Sequence, residues 1–477
     1  MVASPVNRAF SFTGPCATRV VRLRQGYAGT SEASHRPSFS EGGFTSPQLT
    51  PSNSYYFRSC DLEKPPLAAL ASEEFQPRSR DLKLYLAVRF ATSFGTQIQS
   101  VAVGLQVYDL TRDPVALGYV GLAIFLPMFL LVLPAGDLAD RVDRRLMLIA
   151  SYVVQILASL LLFALTVMGV KEMWAYYAAI TFLGVALGIS QPAVQSFLPF
   201  LVTLDRLPQA IAWNSTAYRT ATIGGPAVGG FLYAFGPEVN YSLCLCLYIF
   251  TVIVMWNLQI RSREGESTGT TALIRIAEGI SYIRRRPIIF GAISLDLFAM
   301  FLGGATALLP IYARDILDVG PIGLGFLRTA PSAGAALVAV VLARQQLQRH
   351  AGTWMFACVA LFGAATVVFG LSRNFYLSLF ALAMVGGADM VSVYVRSAMI
   401  QLATPDHMRG RVGSLNSLFV GASNELGEFR AGMTAGLLGT VPAVVLGGVG
   451  AVIVVGLWMR LFPQLRQVDR FSDVTVQ

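Results

Sequence analysis

Long apolar segments alternate with short polar connections along the chain from residue 84 to residue 462. Each apolar segment has about 20 residues, the length that an α-helix needs to cross the hydrocarbon core of a bilayer. The pattern predicts twelve membrane-spanning helices, near residues 84–109, 115–135, 146–169, 174–200, 209–235, 240–260, 288–311, 321–343, 353–371, 375–401, 412–438 and 441–462. The chain is therefore predicted to be an all-α polytopic membrane protein.

The Lys and Arg residues are distributed unevenly between alternate connections. The connections on one side of the membrane hold 14 of these residues, and those on the other side hold 4. The positive-inside rule assigns the richer side to the cytoplasm, which places both termini there and the chain in the inner (cytoplasmic) membrane. This topology explains the net charge of +9, so we expect no nucleic-acid partner.

Composition supports the same class. Hydrophobic residues make up 54% of the chain and charged residues 13%, which leaves too little polar surface for a soluble protein of this length. The five cysteines are scattered and the three histidines lie far apart, so we expect neither a metal site nor a disulfide framework.

Two stretches lie outside the predicted spans. Residues 1–80 are rich in Ser, Pro and Arg and have no long apolar run, so they are expected to form a disordered cytoplasmic extension or to precede the true start. An organellar transit peptide is the alternative. Residues 261–287 are the long internal connection, which divides the spans into six-helix bundles at 81–260 and 288–465 and leaves a cytoplasmic tail at 466–477.

The internal connection has an apolar periodicity of its own. The residues Leu273, Ile276, Ile280 and Ile283 recur at helical spacing beside charged residues. This pattern predicts an amphipathic helix at the cytoplasmic membrane surface, with a solvated linker as the alternative.

The two halves resemble each other. Sliding the second half by 202 positions places Gly386 on Gly184 and Asn416 on Asn214. With the six-plus-six arrangement, this similarity predicts two pseudo-symmetric bundles related by an axis along the membrane normal.

The connection after the second predicted helix reads Gly136-Asp-Leu-Ala-Asp140-Arg141-Val-Asp-Arg144-Arg145. Gly136 permits a tight turn and close helix approach, Asp140 can accept hydrogen bonds at a helix N-terminus, and the arginines can pair with carboxylates. The run resembles the G-x-L-a-D-r-x-x-R-R loop of the major facilitator superfamily. The resemblance implies a latch that closes the cytoplasmic side; charge that only sets topology is the alternative.

The fifth predicted helix contains Gly225, Pro226, Gly229 and Gly230. These residues match the second part of the superfamily's antiporter motif, G-x8-G-x3-G-P-x2-G-G, whose first two glycines are alanines here. Small residues permit close helix packing and Pro226 removes a backbone hydrogen bond. The resemblance implies the rigid interface attributed to exporters, and a generic packing seam is the alternative.

Two longer stretches narrow the resemblance, one at 308–317 (LLPIYARDIL) and one at 404–412 (TPDHMRGRV). They look like the branch that contains enterobactin-type siderophore exporters and macrolide efflux proteins, also described as transmembrane secretion effectors. The resemblance covers about residues 81–465 and implies the superfamily's fold and export. It does not select a cargo, because the branch carries chemically unrelated molecules.

Ionisable residues inside the spans are candidate transport residues, because a charge at the bilayer centre costs about 3 kcal/mol unless it is paired or hydrated. The candidates for proton coupling or substrate binding are Asp296, Asp389, Arg396, Glu425, Glu428, Arg219 and the polar Gln97. In the superfamily that the chain resembles, the seventh and tenth helices line the central cavity, which favours Asp296, Asp389 and Arg396.

The roles of these acids stay open at the level of sequence. Asp389 and Arg396 lie about 10 Å apart along one helix and cannot easily pair with each other. Asp296 either pairs with Arg396 or competes with Asp389 for a proton, and for each acid a fixed buried ion pair is the alternative to a titrating group. Glu425 and Glu428, one turn apart, form either a second proton site or structural partners of basic groups.

No phosphate-binding loop, nucleophile elbow or metal cluster is found in the sequence. We therefore expect no enzyme and no cofactor, with a proton gradient as the driving force. The predicted function is a monomeric secondary transporter that exports an amphiphilic small molecule, such as a siderophore or drug, by proton antiport across the bilayer. The alternative is a transporter-like receptor or sensor that binds a small ligand without net transport.

Overall fold

The computed structural model of the chain describes residues 79–258, 272–345 and 349–469. The predicted extension at 1–80 lies outside these residues except for its last two. Twelve long helices account for most of the described chain: α1 (Ser79–Thr111), α2 (Pro114–Arg141), α3 (Arg144–Val167), α4 (Met173–Phe197), α5 (Leu207–Tyr233), α6 (Pro237–Asn257), α8 (Pro287–Gly303), α10 (Gly320–Arg344), α11 (Ala351–Leu371), α12 (Phe375–Ala403), α13 (Asp406–Leu438) and α14 (Thr440–Leu461). Three shorter helices are α7 (Ala272–Arg285), α9 (Leu309–Ile311) and α15 (Pro463–Gln467).

The twelve long helices correspond to the twelve predicted spans, so the all-α polytopic prediction is confirmed. Within the described residues, nine helices are long and apolar enough to cross a membrane by length and composition. The other three long helices are α1, α5 and α13, whose polar residues lower their mean hydropathy. These three helices supply much of the polar chemistry of the candidate site.

Helix packing produces two bundles. In the first, α1 packs against α5 and α6, while α4 packs against α2 and α3. In the second, α12 packs against α10 and α11, while α14 packs against α8 and α11. The bundles meet along two seams, α5 against α10 and α2 against α13. We call the end where α1 begins the basal end and the end where α1 finishes the distal end.

The seventh predicted span differs from the observed helix. We predicted a continuous helix over 288–311, but α8 ends at Gly303 and the backbone of Gly304 is extended. Arg430 of α13 donates hydrogen bonds to the carbonyl oxygens of Phe301 and Leu302, at 2.8 and 2.6 Å. These bonds satisfy carbonyl groups that a helix end leaves without partners, and they stabilise the break.

Helix α7 lies within the internal connection at 261–287. Its Tyr282 hydroxyl donates to the carbonyl oxygen of Ala403 at 2.8 Å, and its Glu278 pairs with Arg411 at 2.6 Å. Ile283 is buried. The helix therefore lies against the basal ends of α12 and α13, while its placement at the membrane surface stays a prediction.

The chain after α14 packs back onto the second bundle. Leu465 and Val468 are buried, and the carbonyl oxygens of Val468 and Asp469 accept hydrogen bonds from Gly352 and Ala351 at 3.0 and 3.2 Å. These contacts cap the N-terminus of α11. The first residues of the predicted tail at 466–477 thus belong to the bundle as far as Asp469, and the remainder lies outside the described residues.

Candidate functional site

Asp296 of α8 and Arg396 of α12 form an ion pair between Oδ2 and Nη1. The side chains are 5% and 3% exposed, and they lie among the apolar residues of the second bundle. This contact favours the interhelical pair over the alternative in which Asp296 and Asp389 compete for a proton. A buried ion pair with no net charge is suited to holding α8 and α12 together.

Asp389 lies near the middle of α12 and is half-buried. Within the part of the chain that the structure describes, it has no hydrogen bond or ion pair. The Nη2 atom of Arg219, on α5 of the other bundle, lies 3.5 Å from Sδ of Met390, the next residue after Asp389. The structure therefore brings two predicted candidates, Asp389 and Arg219, into one neighbourhood between the bundles.

Glu425 and Glu428 of α13 are half-buried and lie within electrostatic range of Arg328 on α10. Neither carboxylate has an ion-pair partner within 4.0 Å among the residues described. The Nη1 atom of Arg328 donates instead to Oγ of Ser100 on α1, at 2.6 Å. Arg328 therefore lies within electrostatic range of two carboxyl groups, and its hydrogen bond to Ser100 connects the two bundles.

Arg328 is one of the charged residues inside the predicted spans, but it was not among the candidates for proton coupling or substrate binding chosen from the sequence. Its partners lie on α1 and α13, about 228 and 100 positions away along the chain, so no local spacing points to them. A charged residue inside an otherwise apolar span was the available signal.

Gln97 is positioned by the contact between α1 and α5. A Cβ atom at Gly225 would stand 2.6 Å from Cβ of Gln97 and 3.2 Å from the carbonyl oxygen of Phe94. The glycine thus lets the two backbones approach. The half-buried Gln97 amide has no hydrogen-bond partner among the described residues, which leaves it available to a ligand or water.

The other residues of the antiporter motif form the seam with the second bundle. A Cβ at Gly325 of α10 would stand 2.7 Å from the carbonyl oxygen of Pro226, and Gly230 lies directly against the backbone of Gly325. Gly229 faces α1, where a Cβ would stand 3.1 Å from Cα of Ile98. The motif therefore joins α5 both to its own bundle and to the opposite one.

The seam between α2 and α13 has the same construction. A Cβ at Gly118 would stand 3.0 Å from the carbonyl oxygen of Phe429, and one at Gly121 would stand 3.0 Å from that of Glu425. Both seams therefore depend on glycine and bring the backbones of the two bundles into direct contact.

The motif at 136–145 has a different local structure from the one predicted. Gly136 lies inside α2, not in a turn, and a Cβ atom added to it would meet no other atom within 4 Å. Arg145 donates from Nε to the carbonyl oxygen of Met255 at 2.9 Å, and the Arg144 guanidinium lies 4.5 Å from the ring centroid of Phe200.

These two arginines thus bind carbonyl and aromatic groups of the first bundle, where carboxylate partners were predicted. The side chains of Asp140 and Arg141 lie outside the described residues. The role of this motif as a latch stays a prediction.

A charge quartet joins the bundles at the distal end: Asp109 of α1 and Arg112, which directly follows α1, with Arg314 and Asp315 of the segment after α9. Asp109 accepts from Arg314 at 2.6 Å and from the Tyr233 hydroxyl at 3.1 Å. Arg112 pairs with Asp315 at 3.3 Å, and Asp315 also accepts a hydrogen bond from the Tyr108 hydroxyl. The quartet was not predicted from the sequence, in which Asp109 ends the first predicted span and the other three charges lie in connections.

The basal parts of α5 and α13 expose polar side chains. On α5 these are Ser215, Thr216 and Thr220, and on α13 they are Ser414 and Ser417. Because polar groups at membrane depth avoid lipid, their exposure indicates a cleft between the bundles that opens toward the basal end. The structure thus combines a closed distal end with an accessible basal cleft.

Comparison with known proteins places these observations in a family. The family model of the transmembrane secretion effectors matches residues 75–475. The chain is 24% identical over 411 residues to the MFS-type transporter YfiS of Bacillus subtilis, which covers 82% of this chain and 95% of that protein. It is 23% identical over 382 residues to the enterobactin exporter EntS of Shigella dysenteriae, which covers 79% of this chain and 91% of the exporter.

Solved structures show the same fold at low sequence identity. A POT family transporter in complex with a conjugated peptide aligns with a TM-score of 0.66 at 12% identity, over 81% of this chain and 96% of the other. A bacterial homologue of the iron transporter ferroportin, in an inward-facing state, aligns with a TM-score of 0.61 at 18% identity, over 81% and 99%.

Proposed function

Since this chain belongs to the transmembrane secretion effectors of the major facilitator superfamily, we propose that it exports an amphiphilic small molecule in exchange for protons. Family membership and the fold make the chain a multi-pass membrane transporter. Outward transport is supported by its similarity to an enterobactin exporter. A siderophore or a drug is the class of cargo that we propose.

The observation that carries proton exchange is the isolation of Asp389. A carboxyl group at membrane depth is accommodated either beside a cation or in its protonated form. Asp296 already has Arg396, whereas Asp389 has no such partner among the described residues. Asp389 is therefore the acid that we assign to proton binding during the cycle.

Glu425 and Glu428 form the second part of the proposed proton path. With one guanidinium in electrostatic range of two carboxylates, full ionisation leaves one negative charge unbalanced. A proton or a cationic group of the substrate balances that charge. Exchange of the proton for the substrate's cationic group at this position couples the proton flux to the substrate flux.

Alternating access follows from the two glycine seams and the basal cleft. Substrate enters the cleft along the polar faces of α5 and α13 while the distal end is closed. Rocking of the bundles about the seams then opens the distal end, as expected for two repeats that enclose a central site. Arg219 is positioned to contact an anionic group of the substrate, because its guanidinium is exposed near Asp389.

The test is flux driven by an imposed pH gradient in inverted vesicles, with Hoechst 33342 and a radiolabelled catecholate as probes. We expect gradient-dependent flux that falls at least tenfold in Asp389→Asn, Glu425→Gln or Glu428→Gln. Glu172→Gln, on an exposed distal connection, is the matched control and retains flux. Equal flux with and without the gradient in the parent protein would contradict proton coupling.

The receptor alternative predicts a different result in the same vesicles. A receptor binds probe with saturation but gives no gradient-dependent accumulation. Saturable binding without flux across the probe panel would favour that alternative.

A further inference from the structure

The stretch LLPIYARDIL at 308–317 resembles a family motif, yet the proposed substrate and proton residues make no use of it. After α9 the chain forms a π-helix over Tyr312–Ile316, in which Leu317 donates to the carbonyl oxygen of Tyr312 at 2.8 Å. The left-handed backbone of Asp318 and Gly320 follows at once. Short π-helices are uncommon and concentrate at functional sites.

This π-helix is anchored to the second bundle. Tyr312 is buried, its hydroxyl donates to the carbonyl oxygen of Gly370 at 2.8 Å, and its ring lies 4.5 Å from that of Phe369. Ala313 is also buried. The segment therefore moves with the second bundle when the bundles separate.

Arg314 and Asp315, on the same π-helix, point to the opposite bundle. Asp109 of α1 and Arg112, which directly follows α1, meet them with reversed signs, so each side of the charge quartet carries one acid and one base. Asp109 is the more enclosed acceptor, because Arg314 and Tyr233 both donate to it. If the distal ends of the two bundles separate, these ion pairs break.

We propose that the charge quartet is the release gate of the transporter, and that Asp109 and Arg314 are its principal gating residues. The proposal rests on the proposed function, because a gate has a role only in a chain that moves a substrate. Breaking the quartet shifts the balance of states toward an open distal end. Its re-formation after release returns the cleft to the basal side.

The test measures opening directly and needs no knowledge of the substrate. Gly104 of α1 lies one turn before Tyr108 and is buried against Pro310. A Cβ atom at Gly104 would stand 3.4 Å from Cγ of Pro310. Gly104→Cys, with Cys16, Cys60 and Cys246 replaced by Ser, gives a thiol that is shielded while the gate is closed. A membrane-impermeant maleimide added outside intact cells reports distal opening as a labelling rate.

Single charge reversals create like charges across the gate. We expect Asp109→Arg or Arg314→Asp to raise the labelling rate about fivefold, the scale of one partly exposed ion pair. The double reversal places two arginines at the distal end of α1, opposite two aspartates on the π-helix, so it restores slow labelling. Tyr233→Phe removes only a bond within the first bundle and serves as the matched control.

Each outcome is decisive. Parental labelling rates in both single variants overturn the gate, as does a double variant that labels as fast as the singles. Arg314→Gln, which introduces no repulsion, replaces any reversal variant that fails to reach the membrane. Lys171→Cys, on the exposed connection between α3 and α4, labels from outside if that connection is extracellular and verifies the topology.

The outcome is separable from that of the proposed function. Variants that alter labelling as expected support a gate even if no probe is exported by the parent protein. Conversely, proton-driven flux that persists while labelling never changes retains the transporter and removes the gate.

Discussion

Asp296 and Arg396 pair inside the second bundle, where neither side chain reaches solvent. Removing one partner leaves the other charge buried alone, at a cost of about 3–5 kcal/mol. We therefore expect Asp296→Asn to lower the thermal unfolding temperature in detergent strongly. Fluorescence-detected size-exclusion chromatography after heating measures the change.

A double replacement, Asp296→Leu with Arg396→Met, is the control. Because it removes both charges and keeps apolar volume, it loses much less stability than the single change. A stable Asp296→Asn protein with proton-driven flux abolished would instead assign Asp296 to coupling.

Arg328 is expected to be required for coupling. Arg328→Gln leaves Glu425 and Glu428 without their cation, so both are accommodated in the protonated form and proton release falls at least tenfold. Ser100→Ala removes only the 2.6 Å hydrogen bond to Arg328 and lowers proton release by less than about threefold. Proton release from the reconstituted protein, followed with a pH-sensitive dye, measures the effect of each variant. Equal losses of proton release in the two variants would show that Arg328 acts through its contact with α1.

The seam between α5 and α10 has no room for a side chain at Gly325. Gly325→Val places atoms against the Pro226 carbonyl and costs about 1–3 kcal/mol in the closed state. We expect faster maleimide labelling of Gly104→Cys from outside. Gly413→Ala, at a position where an added Cβ would meet no atom within 4 Å, is expected to leave the labelling rate unchanged. An unchanged labelling rate in both variants would contradict a role of this seam in keeping the distal end closed.

The segment after α14 is expected to stabilise the second bundle. Leu465→Ala creates a cavity beneath it and costs about 2–5 kcal/mol. Leu461→Ala, at a residue 58% exposed, is the matched control and costs little. Thermal unfolding of the two variants in detergent separates them, and equal temperatures would show that the segment does not support the bundle.

The helices were predictable because nine of the twelve long helices in the described chain have enough apolar residues to be recognised without their neighbours. The break after α8 was not, since it depends on Arg430, more than 120 positions away along the chain. Local hydropathy contains no information about such a partner.

The site was predictable as a set of residues but not as a set of contacts. Asp296 and Asp389 looked equivalent in the sequence, and the rotation of α8 and α12 about their axes decided which acid meets Arg396. Asp109 and Arg314 went unrecognised because each lies near a helix end, where a charge is ordinary. Their significance arises from a contact between helices some 205 positions apart.

The members of the charge quartet remain partly open to water: Arg112 and Asp315 are 58% and 44% exposed, and Arg314 and Asp109 are 27% and 26% exposed. Dissolved ions therefore screen them, over a Debye length of about 8 Å in physiological medium and about 3 Å at 1 M salt. A high salt concentration outside the cell weakens the attraction between the acids and bases of the quartet without altering the protein. We expect the ionic strength of the surroundings to regulate how long this transporter faces outward.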